Sequence, residues 1–481
     1  MKKKNMKGYF LAFFACMFCF LFGAKVSNAA ETYVIGTDIT FAPFEFQNSS
    51  NEYVGIDIDL LNAIAKDQGF SVKIKAVGFD AAVQQVQAGQ LDGMIAGMTI
   101  TEDRKKAFDF STPYFDSGIV MAVSKTNKSV KEYSDLKGKT VGAKVGSESA
   151  DFIQKNKDKY GYKVKLIDTS DTLYQMVQSG NLDAVFDDYP VIGYAIKQGQ
   201  PLKMVTQKEK GGSYGFAVKK GQNQELLEKF NAGLKKLKTN GEYQKIVNKY
   251  VDSNASSSKT VDETTYAGLI KNNYKSLLSG LGKTLGLTFV SFIIATIIGV
   301  LLGLFNVSDS KILRFIATFY IDIIRGIPLL VLAMFIFIGL PNLTGIKINE
   351  MVAGVVTLSL NAGAYIAEIV RGGIKAVPNG QNEAARSLGL SYGKTMQKII
   401  LPQAIKIMIP SFINQFVISL KDTTILSAIG LVELLQTGKI IIARNLQSFK
   451  VYLIISVIYI VVITILTKLS NILERRVQKN G

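Results

Sequence analysis

Histidine is absent from all 481 residues, which excludes histidine zinc sites and any nucleophilic triad that takes its base from an imidazole. Cysteine occurs twice, as Cys16 and Cys19, both inside the first apolar segment. Their C-x-x-C spacing imitates a redox pair, but an apolar segment offers no cation to stabilise a thiolate. Nothing after Cys19 can form a disulfide. Proline is scarce, at 9 residues beside 42 glycines, and charged residues make up 20% against 48% hydrophobic. That balance is too apolar for a disordered chain and too varied for a fibre. The length allows about three domains of ~150 residues.

Acids are outnumbered, leaving a net charge of +18. An excess of this size suits nucleic acid or the basic cytoplasmic loops of a membrane protein, and the position of the charges decides between them. Residues 1–30 have a basic start (Lys2, Lys3, Lys4, Lys7), an apolar stretch from Tyr9 to Ala24, and small residues at Ser27, Ala29 and Ala30. They read as a secretory signal, or alternatively a retained anchor. A lipidation site at Cys16 is poorly supported by Phe13-Phe14-Ala15. On each reading, the chain beyond Ala30 emerges outside the cytoplasm.

Residues 31–252 alternate short β-like runs with helix-like ones. Tyr33–Gly36 precedes an amphipathic Asp57–Gln68, Val72–Lys75 precedes Ala81–Ala88, and Thr140–Gly142, Val164–Leu166 and Ala184–Phe186 continue the pattern. Such alternation predicts parallel sheets. The return at Tyr214–Val218 suggests two lobes: lobe 1 from about 31–123 and 215–252, lobe 2 from about 124–214. Asp57 and Asp59, alternating with Ile56 and Ile58, read as capping or surface acids. The polar, Ser-rich string DSNASSSKTVDETTY at 252–266 predicts a tether, and 253–275 is assigned as linker.

Residues 276–481 carry apolar stretches long enough to cross a bilayer at ~20 residues each. They fall near 284–305, 312–340, 350–370, 403–420 and 451–470, with a mixed segment from Lys421 to Phe449 that is expected to be partly re-entrant or interfacial. Arg371–Lys398 holds Arg371, Lys375, Arg386, Lys394 and Lys398 against Glu383, and the C-terminal stretch is also basic. Five spans starting outside put both basic segments in the cytoplasm, which accounts for the charge without nucleic acid. Asp322 with Arg325 reads as a pair near the outer boundary, and Glu368 with Arg371 as a support for the cytoplasmic loop. Gly299-x-x-x-Gly303 reads as helix packing.

Gly282-Lys283-Thr284 and Gly393-Lys394-Thr395 imitate a phosphate loop, but the glycine required five residues earlier is Leu277 or Leu388. The chain is therefore expected to lack its own nucleotide-binding domain. Glu383-Ala384-Ala385-Arg386-Ser387-Leu388-Gly389, followed by Ile399-Ile400-Leu401-Pro402, reads as a short amphipathic helix closed by glycine and leading into the next span. It matches E-A-A-x-x-x-G-x9-I-x-L-P at every specified position and resembles the coupling element of ABC importer permeases. In that family it seats on a cytoplasmic ATPase, which implies that role for Glu383, Ala384, Ala385 and Gly389.

The soluble half resembles the receptors for polar amino acids, the glutamine-binding group in particular. Gly36–Asp38 with Phe41–Phe46, Gly55–Leu60, Ala96–Arg104, Phe110–Tyr114 and Asp187-Asp188 carry the likeness. Ala364–Glu368 and Arg371–Gly373 are similar to polar amino acid permeases. The resemblance implies a two-lobed α/β receptor of the type II periplasmic-binding-protein fold, ahead of an all-α type I permease. It further implies that Arg104 clamps the ligand carboxylate, with Thr99 and the N–H groups of Gly97 and Thr99 completing the cradle. Asp188 would face the ammonium, Phe41 and Phe79 would sandwich the aliphatic part, and Asp38 and Lys144 would read the far end. Two positions depart from the group: Asp187 stands where a His is common, and Glu148 where a Gly is. The extra acid leaves arginine open beside glutamine.

The expected whole is a membrane subunit that captures a polar amino acid outside and passes it through a homodimeric permease driven by a separate ATPase. It implies no cofactor and no metal, and lipid but no nucleic acid as surroundings. A ligand-gated channel is the first competitor, although there the pore interrupts the receptor; an amino acid sensor is the second.

Overall fold

The computed structural model describes residues 32–479 apart from 39, 49, 51, 210–211, 252–262, 264 and 446. The expected export segment and residues 253–262 and 264 of the expected linker lie outside the described residues.

Two five-stranded sheets organise the receptor. The first runs Ser71–Ala76, Thr32–Thr37, Gly93–Met94, Ala217–Lys219, Phe108–Phe110. Thr32↔Ser71 through Thr37↔Ala76 pair in parallel, as the helix between them requires. The second runs Lys163–Ile167, Thr140–Lys144, Ala184–Asp188, Ile119–Ser124, Leu202–Met204. Ile119–Ser124 lies antiparallel to Ala184–Asp188, so this strand belongs to lobe 2 and the boundary moves from about 123 to the segment before Ile119. The chain crosses between lobes on Phe115–Asp116 and returns on Ser213–Tyr214, and these two strands are hydrogen-bonded to each other.

The Ile56–Gln68 helix explains a second correction. Its N-cap is Gly55 without a side-chain cap, and Asp57 is fully buried on the face it shares with Leu60, Leu61 and Ile64. Asp57 is therefore neither a cap nor a surface acid. Asp59 does reach the surface and pairs with Lys249 at 2.7 Å.

Among the described residues, the permease half contains four helices long and apolar enough to cross a membrane: Tyr266–Asn306, Glu350–Ala376, Tyr392–Ile429 and Ser448–Leu469. The first begins at Tyr266, so the last ten residues assigned to the linker are helical; Thr265 caps them by accepting from the Gly268 N–H. The expected span at 312–340 is two helices, Lys311–Gly326 and Leu329–Thr344, bent by 102°. Pro328 supplies the reason, since it has no N–H to donate and forces Ile327 into an extended conformation. Counting the bent pair as one gives five spans. Gly299 and Gly303 let the first helix approach Glu350–Ala376, where an added Cβ would sit 2.5 Å from Ile366 and 2.6 Å from Val370. The mixed segment resolves into a 3₁₀ turn at Thr423–Ile429, Gly430 at φ 82°, and a short helix, Leu434–Asn445.

Candidate functional site

A narrow cleft between the lobes is lined by Phe41, Phe79, Gly97, Thr99, Arg104, Lys144, Glu148 and Asp188, joined by Ala96, Ser147 and Asp187. Eight of the nine residues expected of the receptor site thus surround one space, and the ninth, Asp38, forms a buried ion pair with Lys144. That pair joins lobe 1 to lobe 2. The other oxygen of Asp38 accepts from the Thr40 hydroxyl at 2.6 Å and the Thr40 N–H at 3.1 Å. Burial alone would depress the Lys144 ammonium, but Asp38, then Glu45 and Asp187, hold it above the ordinary lysine range. Its Nζ lies 4.8 Å from the Phe41 ring centre and 5.5 Å from that of Phe79, a geometry that favours a cation over the ring face.

Arg104 stands on the one-turn Glu102–Lys105 helix, whose N-cap Thr101 accepts from the Arg104 N–H. Its Nη1 donates to the Thr99 carbonyl and its Nη2 to the Gly146 carbonyl, both at 2.8 Å, so the guanidinium bridges the lobes. The Phe79 ring lies under it at 5.5 Å. Burial lowers the Arg104 pKa from its usual value, while Asp151, Glu148 and Asp188 act in the opposite direction. Two of five N–H donors are thereby used, leaving a fork for an anion.

Gly97 sits where expected but its N–H does not. That N–H donates to Asp57 at 2.9 Å, so it is not part of a carboxylate cradle. Glycine is needed there for two reasons: φ is +54°, and an added Cβ would stand 2.7 Å from the Phe41 ring.

Asp188 closes the Ala184–Asp188 strand and is the N-cap position of Tyr189–Lys197. Burial first, and the neighbouring Asp187 second, push its pKa up to about 7. The Tyr214 hydroxyl lies against Asp188 and Ser117. Asp187 accepts from the Tyr174 hydroxyl at 2.8 Å and from the Asp188 N–H at 2.9 Å. Behind Phe41, burial and the charges of Asp57 and Asp38 hold Glu45 well above the carboxylate range, and a hydrogen bond between the Glu45 and Asp57 carboxyls acts in the same direction. The sequence reading does not single out Tyr214 or Ser147 as part of the site. Ser147 precedes a helix and accepts from Ala150 N–H at 3.1 Å, an N-cap signature that the sequence does carry.

On the permease, Glu383, Ala384 and Ala385 lie on the Asn379–Ser387 helix, with Glu383 and Ala384 exposed and Ala385 buried. Gly389, at φ 82°, ends it: Gly389 N–H bonds to Arg386 O and Leu390 N–H to Ala385 O, the Schellman arrangement. A π-turn at Met396–Ile400 then leads into Leu401–Asp422, with Pro402 in its first turn. The expected Asp322–Arg325 pair does not form. Arg325 instead approaches Glu368 at 3.5 Å and lies over the Tyr365 ring, and Arg371 grips Glu368 with two bonds of 2.8 Å.

Comparison with known proteins adds two family matches. Residues 33–253 match bacterial extracellular solute-binding proteins, family 3, and residues 295–479 match the binding-protein-dependent transport system inner membrane component. The arginine transport system permease protein ArtQ of Bacillus subtilis is 38% identical over 204 residues, 42% of this chain and 93% of that protein. This chain belongs to the amino acid ABC importers. Within that family it is a solute-binding domain fused to a permease, and so a multi-pass transporter subunit. The glutamine transport system permease protein GlnP of Escherichia coli is similar at 36% identity over 203 residues, 42% of this chain and 93% of that protein. Among solved structures, the open form of substrate-binding domain 2 of Lactococcus lactis GlnP is 49% identical, covering 48% of this chain and all of that one, with a TM-score of 0.37.

Proposed function

We propose that this importer subunit captures glutamine, with Arg104 holding the carboxylate, Asp188 the ammonium, Phe41 and Phe79 the methylenes, and Asp38 with Lys144 the amide. The observation that carries the reading is the Lys144–Asp38 pair at the far end of the cleft. It offers a cationic donor and an anionic acceptor side by side, the complement of an amide, which both accepts and donates. A guanidinium would meet the Lys144 charge directly. The second reading, arginine, draws on Glu148 and Asp187, both lining the cleft. In either case a separate ATPase docks on the exposed face of Asn379–Ser387 in the cytoplasm, and two chains pair to complete one pore.

Calorimetry of the full chain in lipid nanodiscs against a panel of amino acids tests the assignment. Glutamine is expected to bind most tightly; arginine binding in its place would remove Lys144 from the amide role.

Acid is expected to weaken capture. Asp188 must be ionised to face an ammonium, and with a pKa near 7 in the absence of that cation, binding below pH 7 releases a proton. Affinity should be level above about pH 8 and fall about tenfold between pH 8 and pH 6. Titration in buffers of differing ionisation enthalpy reads the released proton directly, and an affinity that rises on acidification would contradict the assignment.

A further inference from the structure

The receptor rests on its own permease, and the two lobes touch it differently. On lobe 1, Lys75 pairs with Glu350 at 2.7 Å and Asp92 with Lys347 at 3.1 Å. Asp92 also accepts from the Val34 N–H at 2.8 Å, which ties that contact to the first sheet. Gln90 donates to the Phe337 carbonyl. Beside these, Gly430 lies so close to Val77 that an added Cβ would stand 2.4 Å from Val77 Cγ1, and Ala76 packs on Ile440, with Tyr53 and Val432 beside them. On lobe 2, Gln175 Nε2 donates to Ser448 Oγ at 2.6 Å, and the charges of Asp168 and Asp171 lie near Tyr452. The Lys75–Glu350 and Asp92–Lys347 pairs fall on the lobe that also packs Val77 and Ala76 against the permease.

The hinge between the lobes is the pair of crossing strands, Phe115–Asp116 and Ser213–Tyr214. Both lobes reach the permease in a conformation where Lys144 meets Asp38 and Arg104 meets Gly146 across the cleft. Opening about the hinge must release one lobe or the other. The permease-facing patch on lobe 1 includes Val77, two residues before Phe79 of the cleft wall.

We propose that the receptor stays moored to the permease through lobe 1 while lobe 2 swings, so that the Gln175–Ser448 contact forms on closure and reports a filled cleft. Individually the ion pairs are weak at this exposure. The covalent tether compensates, because it holds the receptor near the permease at an effective concentration of the order of millimolar. Ligand is thus exchanged by a receptor that never leaves its seat. The inference rests on the importer family and on capture between the lobes, and is indifferent to which amino acid is captured.

Bridging each contact in turn tests it in the full chain, in nanodiscs, with Cys16 and Cys19 replaced by Ser. One variant carries Lys75→Cys with Glu350→Cys, the other Gln175→Cys with Ser448→Cys, and each is joined by a short bis-maleimide. The readout is release of labelled glutamine, or of labelled arginine where the unbridged chain holds that instead, so that the substrate assignment is decided by the unbridged control. The lobe 1 bridge is expected to leave release at the unbridged rate, whereas the lobe 2 bridge should slow it about tenfold or more, the usual kinetic seat of such effects being dissociation. Equal slowing by both bridges, slowing by the lobe 1 bridge alone, or no slowing by the lobe 2 bridge overturns the proposal, as does failure of either pair to join. A charge exchange, Lys75→Glu with Glu350→Lys, adds a check: uptake should fall in each single variant and recover in the double.

Discussion

Arg104→Ala is expected to raise the dissociation constant for the amino acid by two to three powers of ten, with the receptor still folded. Among the described residues, the side chain is the one full cation on lobe 1 that faces the cleft, and it is fixed there by the Thr99 and Gly146 carbonyls and the Phe79 ring. Removing one member of a desolvated, hydrogen-bonded charge pair costs about 3–5 kcal/mol, and every 1.4 kcal/mol is tenfold in affinity. The fold has little need of the guanidinium, since the Glu102–Lys105 turn is capped by Thr101 through the backbone of residue 104. Arg104→Lys should recover only part of the loss, because a point charge cannot reproduce the planar fork. Calorimetry reads the affinity and far-ultraviolet dichroism the fold; an affinity unchanged from the parent chain would remove the carboxylate clamp.

Ala384→Arg is expected to abolish ATP-driven uptake while leaving amino acid capture untouched. Ala384 is exposed on the Asn379–Ser387 helix and its neighbour Ala385 turns inward, so the substitution alters the outer face and spares the packing. Arginine is nearly as good a helix former as alanine, and the Schellman closure at Gly389 involves backbone groups alone. A long cation on a face that must seat closely in another subunit should prevent docking. Binding and uptake of labelled amino acid, measured on the same reconstituted chain with its ATPase, separate the two effects. Uptake equal to that of the parent would show that this face does not carry the docking.

The strands and helices of both lobes follow the alternation in the sequence, because each run buries one face or two and its period says so. Which sheet a strand joins leaves no such mark, so Ile119–Ser124 reads as part of lobe 1 and stands in lobe 2. Hydropathy records how apolar a stretch is but not its direction, which is why the segment around Pro328 reads as one span and stands as two helices bent by 102°. The burial of Asp57 is legible in the sequence: at helical spacing it shares a face with Leu60, Leu61 and Ile64, and only a two-residue period puts it outside. The residues of the cleft come from resemblance, and the structure brings them together. What resemblance does not supply are contacts made through tertiary structure: the Gly97 N–H turned to Asp57, Tyr214 carried to Asp188 by the returning strand, and Arg325 turned to Glu368.

The Tyr266–Asn306 helix starts well before its most apolar part, so little chain is left between Val251 and Tyr266 to act as a leash. Even drawn straight, at ~3.4 Å per residue, that stretch reaches on the order of 50 Å. A receptor on so short a lead cannot serve a distant pore, nor can surplus copies without cargo crowd the mouth, as a freely diffusing pool would. Supply and demand are matched at translation, one collector for each permease chain made, whatever the level of expression.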